Sequence, residues 1–189
     1  MKSYSTYYVR TGDIENTRRV FSKVEEISGS PWLMCNYCKD DGPPDDEILF
    51  GEDSLAEAKS AEVGEVIFLY GDTSIDSFVY ERAKNGVLLR KLVWFALLDD
   101  DWTSGWVCVE GEPEEWEKTL FREDTRDRFI YNERQRYEDE GNADSFPDYE
   151  AEIREAWNAK VIVAGKTYPS CDGTVVLLVE QAYDITRPT

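Results

Sequence analysis

Polar and apolar positions alternate from the start of the chain. In "SYSTYYVR", residues 3–10, β-forming side chains sit between small polar ones and "TGD" closes the run, so the pattern predicts a first strand. The period then lengthens. In "DIENTRRVFSKVEEI", Ile14, Val20, Phe21, Val24 and Ile27 fall within helical reach, with Asp13 or Asn16 as the N-cap and "SGSP" as the stop. The segment "NYCKDDGPPDDEILFGEDS" mixes prolines, glycines and a dense acidic run, which predicts an exposed loop. A short helix is expected over "SLAEAKSAEV", capped by Asp53 or Ser54, followed by a strand at "EVIFLYGD".

The sharpest local signal is Asn85-Gly86, the preferred pair for a two-residue type I′ turn. A regular ladder from that turn sets Lys84 opposite Val87, Arg82 opposite Leu89, Glu81 opposite Arg90 and Val79 opposite Leu92. One face then carries Val79, Ala83, Leu88 and Leu92, and the other Phe78, Tyr80 and Val93. "LVWFALL" extends the second strand, "DDDWTSG" turns it and "WVCVE" returns, as in a meander.

Downstream, "GEPEEWEKTLF" reads as a helix start, with Pro113 at the first helical position and Glu114 and Glu115 in the first turn. Trp116 and Leu120 share its inner face, which makes Trp116 a core anchor. A charged helix is expected over 123–136, with Phe129, Ile130 and Tyr137 as its apolar content. A loop follows near 138–147. Another helix begins near Pro147, with Tyr149, Ile153 and Trp157 on one stripe and Ser145 as a possible cap. "KTYPSCDG" then reads as a turn and "TVVLLVEQAY" as a buried strand. Together these elements predict an α+β fold: an antiparallel meander sheet of about five or six strands, with three or four helices mainly on one face. The whole of 1–189 is read as one such domain, with exposed acidic loops near 39–53 and 138–147.

Composition changes the picture in one respect. Forty Asp and Glu against twenty-one Lys and Arg leave a formal charge of −19. A surface of that sign repels phosphate backbones and anionic bilayers, so no direct nucleic-acid binding and no membrane association are expected, while basic proteins are attracted. No signal-peptide pattern or membrane-length apolar run is visible, and four cysteines are too few for a disulfide framework; a cytoplasmic location is expected.

The chemistry-bearing residues are sparse in pattern. Histidine is absent, which removes the usual general base and commonest zinc ligand. Phosphate-binding and nucleophile-elbow motifs are missing, and two prolines spoil a calcium-loop reading of "DDGPPDDE". The Cys35–Cys38 spacing suits a metal knuckle or a redox pair, but Cys108 and Cys171 are isolated and the following loop is acidic; ordinary thiols are expected. No catalytic residue, metal or cofactor is assigned.

What remains is the cluster Asp99, Asp100, Asp101, Trp102 and Trp106 at a strand end. It reads either as a solvated turn with tryptophans packed over the sheet edge, or as aromatic anchors within a charged rim that contacts a partner. The functional expectation is an acidic module that binds a basic protein, for instance a bacterial inhibitor or immunity-type protein that blocks a basic partner. The alternative is a small-molecule binder or histidine-free enzyme with a Tyr/Trp-lined pocket at the sheet end.

Overall fold

A computed structural model describes residues 3–39, 54–96 and 104–185. Its centre is a seven-stranded antiparallel sheet in the order β2-β3-β1-β4-β5-β6-β7: β1 Ser3–Arg10, β2 Val24–Glu26, β3 Leu33–Lys39, β4 Glu65–Asp72, β5 Ser77–Lys84, β6 Val87–Ala96 and β7 Ser104–Gly111. Among the described residues there are five α-helices: α1 Ile14–Val20, α2 Leu55–Val63, α3 Glu123–Asp139, α4 Phe146–Ala159 and α5 Val176–Ala182. Strands β4 to β7 form the expected meander. The N-terminal part does not, because β1 lies between β3 and β4 and so occupies an interior position beside the central strand.

The central strand explains why helices cover both faces. Every residue of β4 is buried: Val66, Phe68 and Tyr70 point to one side, Ile67 and Leu69 to the other. A strand apolar on both sides needs two covering layers. On the first side, α1 and α2 pack over Phe21, Val63, Phe68 and Val79. On the second, a 3-10 turn at Glu115–Leu120 and helices α3, α4 and α5 enclose Tyr4, Tyr8, Tyr80 and all the buried tryptophans. The expectation of helices mainly on one face is therefore corrected.

Two segments differ from their local pattern for tertiary reasons. The helix expected through Ile27 ends at Val20: Phe21 turns extended, setting its ring 5.2 Å from that of Tyr7, and residues 24–26 form the edge strand β2. Asp13 caps α1 as expected, accepting from the Asn16 N–H at 2.9 Å. The apolar run near the C-terminus is helical rather than a strand. Asp172 accepts from the Thr174 N–H at 2.7 Å to start the turn, and Val175, Val176 and Val179 face the core while Leu177 is exposed. That is helical spacing. Residues 36–39 are strand where a loop was expected, and 40–53 lie outside the described residues. The 138–147 loop is shorter than expected: α3 runs to Asp139, and Ala143–Ser145 form a 3-10 turn leading into α4. Ser145 hydrogen-bonds Asn142 O instead of capping α4 with its side chain.

The hairpin turn forms at Asn85 (φ 52°) and Gly86 (φ 77°), both in the left-handed region a type I′ turn demands. Its register holds for two pairs, Lys84 with Val87 and Ala83 with Leu88, and then shifts. Leu89 is an extra residue, so Arg82 faces Arg90, Glu81 faces Lys91 and Val79 faces Val93. The bulge moves Leu92 to the side of Phe78 and Tyr80, and Val93 to the side of Val79. It also turns Arg90 toward the helical layer that supplies its carboxylate partner.

Candidate functional site

The residues singled out at the β6–β7 turn separate in the structure. Asp99, Asp100, Asp101 and Trp102 lie outside the described residues. Trp106 is 0% exposed. Its indole N–H donates to Pro169 O at 3.0 Å, and its ring meets Trp94 edge-on at 5.2 Å. The loop after α4 also seals the β7 edge there, since Trp106 N–H donates to Lys166 O and Gly165 N–H to Trp106 O. Trp106 is a core residue, which corrects its reading as a partner anchor. A bulge on β7 at Val107 sets the alternation that turns it inward.

Aromatic and carboxylate groups do converge, on the face of β1, β4 and β5 that α3, α4 and α5 cover. The hydroxyls of Tyr4 and Tyr8 meet Glu180 Oε1 at 2.6 and 2.7 Å and lie 2.6 Å from one another. Burial first, and then the neighbouring Tyr8 and Glu180, push the Tyr4 phenol far above its ordinary range. Beside them, Glu114 Oε2 accepts from Tyr80 and Tyr183 at 2.6 Å each and from the Trp116 indole at 2.9 Å. Its Oε1 accepts from Arg82 at 3.0 Å.

Arg82 extends the chain of charges to Glu65, which also pairs with Arg10. Burial alone would raise the Glu65 carboxyl, but the hydrogen bonds and charge of Arg82, aided by Arg10, hold it below the usual carboxylate range. Next in line, Glu117 takes a two-pronged contact from Arg90, at 2.8 and 2.6 Å, and accepts from the Glu114 N–H at 2.9 Å. These carboxylates are occupied by donors on several sides, and the tyrosines around them are packed into the core. The arrangement locks the helical layer to the sheet and presents no spare base to a substrate.

The four cysteines are free thiols, not joined in disulfides. Cys35 and Cys38 lie on β3, and burial pushes the Cys35 thiol up to about 12. Burial, with Glu110 beside it, pushes Cys108 up to about 11. Among the described residues, no group of three or more His, Cys, Asp or Glu side chains is placed to hold a metal ion.

Three concave features among the described residues are open grooves. One of about 340 Å³ is bordered by Arg122, Arg128 and several hydroxyls, yet Thr119 and Thr125 spend their protons on the carbonyls of Trp116 and Arg122. A second, of about 390 Å³, lies among Arg10, Glu65 and Lys84, where Glu65 already neutralises Arg10. A third, of about 250 Å³, is apolar: Ala156, Ala159, Val161 and Val163 form its walls, with Glu152 and Glu155 along its rim.

No protein-family model, curated protein or solved structure matches this chain. Its function must be read from its own surfaces. No helix among the described residues is long and apolar enough to cross a membrane. The apolar groove was not read from the sequence, although it left a trace there. In "VIV", Ile162 is buried while Val161 and Val163 are 39% and 45% exposed, an alternation that leaves two valines in water.

Proposed function

We infer that the protein is a binding module for a basic protein partner, such as an inhibitor that covers a cationic active surface. The observation that carries this reading is the fate of the charges on α3 and α4. Four of their five arginines are tied to carboxylates: Arg126 to Asp127, Arg136 to Glu133, and Arg134 and Arg154 both to Glu150, while Arg128 forms no ion pair among the described residues. Glu123, Glu138, Asp139, Asp148 and Glu155 are exposed and form no ion pair among the described residues. On these two helices the five unpaired acids outnumber the one unpaired arginine, so the surface they share carries the sign of the −19 formal charge.

The closed hydrogen-bonding of Glu114, Glu117 and Glu180 favours binding over catalysis. Four free cysteines suit a reducing, cytoplasm-like compartment. The test is capture from a lysate of the source organism on the immobilised protein, with elution in a salt step. A basic protein released by salt, and competed away by polylysine, is the expected result. A partner that is acidic or neutral, or that resists the salt step, would overturn the reading.

A further inference from the structure

Resting on that reading, we propose that the apolar groove beside α4 is where the partner docks, and that its occupant is a short Lys/Arg-rich segment carrying an apolar side chain. The groove is built from the C-terminal half of α4 and the chain that follows it. Lys160 ends the helix in a left-handed conformation (φ 53°), which redirects the backbone. Ile162 then anchors in the core at 2% exposure, and its neighbours Val161 and Val163 are held outward across from Ala156 and Ala159. The hydrogen bonds between Trp106 and residues 165 and 166 fix this segment to the sheet edge, so its valines stand on a rigid support. Two valines, one residue apart and both held in water beside two alanines, give the groove an apolar floor within a charged border.

Size and charge select the occupant. At about 250 Å³ the groove is smaller than the clefts that enclose drug-sized ligands, roughly 300–1,000 Å³, but it admits one or two aliphatic side chains. On its rim, Glu155 is exposed and has no ion pair among the described residues, while Glu152 is met by Lys166 and by the Tyr168 hydroxyl at 2.7 Å. The border thus holds one unmatched carboxylate, Glu155, since the lining Lys166 is met by Glu152; at the start of the same helix Asp148 is likewise exposed without an ion pair among the described residues, while Glu150 is held by Arg134 and Arg154. An apolar side chain enters the groove while flanking lysines or arginines reach the rim.

The test uses a fluorescent 12-residue peptide of alternating lysine and valine, with a glutamate–valine peptide as control, read by anisotropy at low salt. Binding of the lysine peptide alone is expected. Val163→Asp should weaken it at least about tenfold, the equivalent of losing most of one buried valine. That loss would occur although the substitution adds an attractive negative charge, so electrostatics alone cannot produce it. Glu155→Gln should weaken binding less and reduce its salt dependence. Val163 is largely exposed, so both variants should keep the parent thermal transition, which is measured alongside. If the lysine peptide binds Val163→Asp as tightly as the parent, the groove is overturned while the basic-partner reading stands. If it binds neither protein at low salt, both are overturned.

Discussion

Arg90 and Glu117 show how far a single charge can determine the core. Arg90 is 2% exposed, and besides Glu117 it reaches Gly111 O at 2.7 Å. Removing the carboxylate would strand a buried cation, so Glu117→Ala should cost about 3–5 kcal/mol in urea unfolding, against about 1 or less for the exposed Arg18–Glu15 pair. Equal costs at the two sites would refute the buried network. Glu65 adds a pH signature. Its folded pKa lies below its ordinary value, so its stabilisation is present above the ordinary carboxylate range and disappears as pH falls through the folded pKa. Glu65→Gln should therefore be less stable than the parent at neutral pH and converge with it in acid. A stability gap that stayed constant with pH would show that the ion pairs carry none of it.

At the scale of elements, strand positions were legible wherever local alternation and turn chemistry agreed. Residues 3–10, the strand before Gly71 and the Asn85-Gly86 turn all form as their patterns imply. Register was not legible beyond the turn, because the bulge at Leu89 is imposed from across the sheet. Gly111 sits at φ 78°, and a Cβ there would lie 2.0 Å from Leu89 O. Nothing in "NGVLLRK" announces a neighbour two strand ends away. Gly111→Ala should accordingly destabilise by more than about 2 kcal/mol, whereas Gly12→Ala, with open space around it, should be neutral or slightly stabilising. Similar losses in chemical denaturation would contradict the close approach. Two apolar runs were misread for the same reason: Phe21 leaves its helix to pack on Tyr7, and the "TVVLLVEQAY" run adopts helical spacing against β4.

For the whole molecule, the expected class, an antiparallel α+β fold, holds, with seven strands and with helices on both faces. The proposed partner surface was the least legible part. Tryptophan beside aspartate suggested an exposed anchor, but Trp106 is large and apolar enough to be claimed by the core, as are Trp32, Trp94, Trp116 and Trp157. Among the described residues every tryptophan is buried, so the proposed surface rests on charge, and charge acts through a field that salt screens over about 10 Å at 0.1 M. The affinity of a captured basic partner should be measured as ionic strength rises from tens to hundreds of millimolar. Binding through the exposed carboxylates predicts a steep, continuous loss of affinity carried mainly by a slower association rate. An affinity and association rate that do not change with salt would contradict it.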